Sequence, residues 1–107
     1  MELTIKDRLL VAHLYPKESN LVTQILVKDI ITKVEITQDD VKKYSIVSNA
    51  KGIVWNKDLD KAIDIILTDK EISFLQGQIK RLDGENKITQ ENLDLCLKIQ
   101  KYEVKED

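Results

Sequence analysis

Three helix starts punctuate this chain more firmly than any other feature. In LTDKEI, Thr68 is placed to cap a helix while Glu71 reaches back to the cap's own N–H, and Leu67 can staple onto Ile72. ITQDDV repeats the scheme with Thr37, Asp40, Ile36 and Val41, and ITQENL repeats it with Thr89, Asn92, Ile88 and Leu93. Each cap is worth about 1 kcal/mol. Such punctuation is folding information, and it commits much of the chain to helix.

The periodicity fills in the helices. After Thr68, residues Ile72, Leu75, Ile79 and Leu82 share one stripe, and Gly84 stands where a left-handed C-terminal cap is wanted. The loop GENK leads to a last helix over about 90–102, whose face is Leu93, Cys96, Leu97 and Ile99, widened by Leu95. So short a loop makes the two helices an antiparallel αα-hairpin. In the front half Thr4 is placed to cap IKDRLLVAHL, which ends before Pro16. Ser19 is placed to cap a longer helix with Val22, Leu26, Ile30 and Val34 on one stripe, flanked by Val27 and Ile31.

The middle reads differently. YSIVSNAKGIVWN has two short β-favouring runs around NAKG, the pattern of a hairpin. KAIDIIL follows as a third strand with Ile63, Ile65 and Leu67 facing inward, although its spacing also fits a helix. In the hairpin Ile53 and Trp55 point to one side, and Trp55 is expected in the core near Leu26 and Ile30. The fold class is therefore α+β: a helix-rich single domain over 1–107 with a small antiparallel β-hairpin or three-stranded sheet and a C-terminal αα-hairpin. Residues 103–107 read as a charged, frayed tail.

Composition narrows the function classes. At 107 residues the chain has room for one core, and 42% hydrophobic with 34% charged residues fits a soluble globular domain. A net charge of -2 gives no global attraction to nucleic acid or anionic membrane. No run approaches the roughly 18 apolar residues of a membrane span, and MELTIKDRLL lacks a signal-peptide layout. One cysteine, Cys96, excludes an internal disulfide and fits a reducing cytosol. With a single histidine, His13, it also falls short of a Cys/His zinc site.

Candidate chemistry is sparse. Asp58, Asp60 and Asp64 cluster in DLDKAID, but the further oxygen ligands and the glycine of a calcium loop are missing, so they read as a solvated acidic stretch. His13 reads as a helix-end residue, and Cys96 as a small hydrophobe on a core face. Gly77, inside a predicted helix, either admits a close neighbour or is simply tolerated. No catalytic constellation, cofactor loop or metal set is visible, and the expectation is a protein that is not an enzyme. One local feature stands out: from Lys42 to Lys57 the chain carries Lys42, Lys43, Lys51 and Lys57 and no acid. These four lysines are the candidate interaction surface. Helix–turn–helix followed by a hairpin is also the order of a winged-helix domain, with Lys51 at the wing tip. Against that, Asp39 and Asp40 would turn the wrong sign of charge toward phosphates, and only Gln38 suits base edges.

The opening LTIKDRL, the Pro and polar turn before a long helix, the mid-chain GIVWN and the later ENKIT resemble small proteins encoded by phages and prophages of gut bacteria. The likeness spans most of the chain and rests on structural landmarks. It implies a phage-derived accessory or structural protein, cytoplasmic in the infected cell or virion-associated, and a strand after Trp55 and Asn56. It supplies no activity and no site residues. The expectation is thus a non-enzymatic protein that acts through a protein partner, without cofactor or membrane. The alternative is a winged-helix-like nucleic-acid binder that uses the basic region 42–57.

Overall fold

A computed structural model describes residues 1–103. Apart from Glu103, the tail expected to fray therefore lies outside the described residues. In chain order the elements are β1 (Glu2–Leu3), α1 (Ile5–Leu10), a 3-10 turn (Val11–Leu14), α2 (Leu21–Val34), α3 (Gln38–Lys43), β2 (Val47–Asn49), β3 (Gly52–Val54), a second 3-10 turn (Lys57–Leu59), β4 (Ile63–Asp64), α4 (Asp69–Gly84) and α5 (Leu93–Gln100). The fold is α+β, with two small antiparallel sheets and a C-terminal helix pair.

Capping decides the helix starts. Thr4, Thr37 and Thr68 each accept from the N–H three residues on, and Asp7, Asp40 and Glu71 each return a bond to the cap. Asn20 rather than Ser19 caps α2, accepting from the Thr23 N–H, while the Ser19 hydroxyl accepts from Gln24. Thr89 and Asn92 exchange the reciprocal bonds foreseen, yet they close a turn and α5 begins only at Leu93. At the other end of α4, Gly84 is still helical and Asn86 takes the left-handed position, at φ 58. Lys87 N–H then bonds Leu82 O and Asn86 N–H bonds Asp83 O, the paired reverse bonds of a Schellman cap. A short amide side chain tolerates that conformation, so the glycine is not needed there.

The core forms where α4 packs on α5 and on the first 3-10 turn. All four stripe residues of α4 are buried, along with Leu95, Cys96 and Ile99 of α5, Leu10, Val11 and Leu14, and Ile30 and Val34 of α2. Gln76 locks the helix pair, donating to the carbonyls of Ile99 and Tyr102 and accepting at its own carbonyl from Gln100. The α2 stripe is turned from its expected place: Val27, Ile30 and Val34 are buried, but Val22 is 76% and Ile31 41% exposed. Apolar residues run almost all round this helix, so their spacing alone cannot select the face that packs.

The third strand needs correction. β4 does form within 61–67, and Ile65 and Leu67 do face the core with Ile66 outward. It pairs, however, with β1, Glu2 opposite Asp64 and Leu3 opposite Ile63, and not with the hairpin. The hairpin β2–β3 is therefore a separate two-stranded sheet with Val47 opposite Val54 and Ser48 opposite Ile53. None of its residues belongs to the core cluster.

Among the described residues three ion pairs tie the helices together. Asp7 of α1 takes Lys98 of α5, Asp40 of α3 takes Arg8 of α1, and Glu71 of α4 takes Lys33 of α2. Burial alone would raise the Glu71 carboxyl, but the bonds from Lys33 and Thr68 outweigh it and hold the group below its ordinary 4.5.

Candidate interaction surface

The hairpin grows out of α3 through a sharp local bend. Ser45 adopts φ 54, a conformation unusual for a residue with a Cβ, and the Ile46 N–H turns back to Val41 O. The Asn56 N–H bonds Tyr44 O and closes the base of the arm. At the tip the Asn49 side chain accepts from the Lys51 N–H, and Gly52 takes φ +116. That positive φ is what makes NAKG a turn, and it fits the hairpin expected there.

The structure distributes the four candidate lysines around this arm. Lys42 and Lys43 end α3, Lys51 sits at the tip, and Lys57 begins the 3-10 turn beyond the base. All four are exposed, and among the described residues none is ion-paired. The Lys43 ammonium lies 5.4 Å from the centre of the buried Tyr44 ring. Between the lysines the strands display apolar side chains: Val47 is 54%, Ile53 46% and Val54 50% exposed. Val47 and Val54 share one face of the ribbon and Ile53 lies on the other, so both faces stay about half open.

Trp55 is half-buried and does not enter the core beside Leu26 and Ile30. With β4 taken by β1, nothing draws the hairpin down onto the helical layer. Instead the indole N–H donates to Asp60 Oδ2 at 3.0 Å, and Asp60 Oδ1 accepts from the first N–H of α1, Ile5, at 2.8 Å. The ring therefore lies at the edge of a groove of about 440 Å³ between β3 and α1, lined also by Lys6, Leu9, Leu10, Ile53 and Glu91.

The other sequence candidates are occupied by structure. Asp60 is committed to Trp55 and Ile5, and Asp64 accepts from the Met1 ammonium, so the acidic cluster is dispersed into separate contacts. Among the described residues no group of acids, histidines or cysteines is arranged to hold a metal ion. Cys96 is buried and burial pushes its thiol up. His13 closes the first 3-10 turn, as a helix-end residue. Tyr15 buries its hydroxyl without a partner, and burial together with the nearby Glu71 charge pushes the phenol up to about 12. No helix among the described residues is long and apolar enough to cross a membrane.

Sequence reasoning found the basic stretch but missed what accompanies it. Lys6 and Leu9 come from α1, far off in sequence, and no local pattern announces them. The exposed Leu21, at 77%, Val22 and Ile25 on the outer face of α2 were hidden by the apolar residues around that whole helix. Comparison of the chain with models of known families, with curated proteins and with solved structures gave no match.

Proposed function

We propose that this chain is a non-enzymatic interaction protein whose hairpin arm, β2–β3 with its lysine-bearing flanks, contacts a partner protein. One observation carries the reading. The arm contributes nothing to the core, yet it holds Val47, Ile53 and Val54 about half exposed among four lysines without carboxylate partners among the described residues. An apolar surface rimmed by charge is the usual composition of a docking site. A phage-derived accessory or structural role, in the host cytoplasm or in a virion, is the setting that the sequence resemblance implies.

The order α2, α3, hairpin, with Lys51 at the tip, also supports a winged-helix-like nucleic-acid binder. That reading is weaker because α3 is six residues long and exposes Asp39 in its first turn, while Asp40 is held by Arg8. Binding to random-sequence duplex across a range of salt separates the two. Weak binding with little salt dependence is expected; tight binding that falls steeply with salt would overturn the protein-contact reading.

A further inference from the structure

The groove between α1 and β3 supports a sharper statement about the partner, which rests on the reading just given. We infer that it seats an acidic segment of a partner protein by taking up an apolar side chain flanked by carboxylates. Leu9, Leu10, Ile53 and Trp55 give the groove its apolar lining, and its volume of about 440 Å³ suits one or two side chains of a bound segment. Trp55 is already fixed for the purpose. Its N–H is held by Asp60, which is itself held by the backbone of α1, so little ordering remains when a ligand meets the ring. Tryptophans so placed commonly dominate binding energy.

Charge selects the occupant. Lys6 and Lys57 stand in the lining, both exposed and without carboxylate partners among the described residues; Glu91 is the one acid of the lining, and Asp60 is taken up by the indole N–H and the Ile5 N–H. The adjoining stretch 42–57 adds three more lysines and no acid. Carboxylates on an incoming segment would meet Lys6 and Lys57 in the lining of the apolar site, which steers encounter. A nucleic acid is less suited, since the lining offers one ring for stacking and carries Glu91 beside its aliphatic residues Leu9, Leu10 and Ile53.

The test selects a randomised peptide library against the whole protein and follows a synthetic representative by the emission of Trp55. Enriched peptides should carry a large apolar residue flanked by Asp or Glu and should shift the Trp55 emission to saturation. Each of Lys6→Glu and Lys57→Glu should weaken binding about threefold or more, while Lys28→Glu on α2 leaves it unchanged. All three lysines are exposed, so the variants should fold, which circular dichroism checks. An empty selection, neutral or basic peptides, or indifference to Lys6 and Lys57 would overturn the inference. So would oligothymidine that produces the same Trp55 shift at lower concentration. Peptides that bind but respond to Val47 or Val54 instead would leave the arm reading standing and remove the groove; tight duplex binding would remove the arm reading itself.

Discussion

Arg8 is the residue whose loss the structure prices most clearly. Its side chain is 4% exposed, and its guanidinium spans three elements. Nε donates to Val34 O at 3.0 Å, and Nη2 donates to Glu35 O at 2.6 Å and to Asp40 Oδ2 at 2.9 Å. A cation is thus set at the C-terminal end of α2, where unpaired carbonyls favour positive charge, and it holds the start of α3 as well. Arg8→Met keeps an unbranched apolar stem and removes the fork. Breaking a buried charge pair typically costs about 3–5 kcal/mol. Asp40 keeps its bonds from Thr37, so the lower end, about 3 kcal/mol, is expected. With about 4–8 °C per kcal/mol for a domain of this size, thermal unfolding should shift down by about 12 °C or more. The double variant Arg8→Met with Asp40→Asn should lose less than the sum of the singles, because it leaves no charge stranded.

Acid unfolding gives an independent check on the same pair. Burial alone would raise the Asp40 carboxyl, but bonds from Arg8 and Thr37 and the Arg8 charge together hold it below its ordinary 3.8. A carboxyl lowered on folding contributes stability that is fully present above its unfolded value and lost as pH falls through the folded one. The contribution should therefore be constant above about pH 3.8 and decline below it, and Arg8→Met should flatten that decline. A loss under about 1 kcal/mol in denaturant unfolding, with the acid limb unchanged, would refute the tie between α1, α2 and α3.

Three further outcomes follow from particular sites. Gly77 lies inside α4 with open space where a Cβ would stand, so it is tolerated and admits no close neighbour; Gly77→Ala should raise stability by about 1 kcal/mol in denaturant unfolding. Cys96, buried with its thiol pushed up, should resist alkylation in the native protein and react quickly in denaturant; fast native labelling would mean that the α4–α5 pair opens. Trp55, half-buried, should emit between the buried and water-like limits and be partly quenched by iodide. Trp55→Ala should cost about 1–2 kcal/mol, well short of a core tryptophan, and full shielding from iodide would contradict the groove.

What the sequence made legible was local. The boxes at Thr37 and Thr68, the α4 stripe and the turn ending in Gly52 each sit within a few residues and depend on backbone preferences that travel with them. Misreadings arose where a choice lay between distant partners. β4 was recognisable as a strand, but nothing in KAIDIIL distinguishes a β1 some sixty positions away, where Leu3 pairs with Ile63, from a hairpin a few residues upstream. The same decision left the hairpin uncovered and Trp55 beside α1. The lysines of the candidate surface were visible as a run without acids, whereas the groove needed Lys6 and Leu9, which only the fold brings to β3.

The capping boxes show how the local and distant levels meet. In each of the three that opens a helix, the third-position carboxylate serves twice. Asp7, Asp40 and Glu71 bond their own caps and also receive Lys98, Arg8 and Lys33 from other helices, 91, 32 and 38 residues away. The place is suited to both roles, because the bond to the cap already restricts the carboxylate's rotamer, so the ion pair itself costs less ordering entropy. The fourth site tests this account from within the molecule. At Thr89 the corresponding residue is Asn92, an amide without charge; its reciprocal bonds form, but the helix starts late and no ion pair is recorded there among the described residues. The sequence thus marked where α1, α3 and α4 begin and, by the same residues, where they would be fastened. It could not name the cations, since Lys33 and Lys98 look like any other lysine until the helices pack.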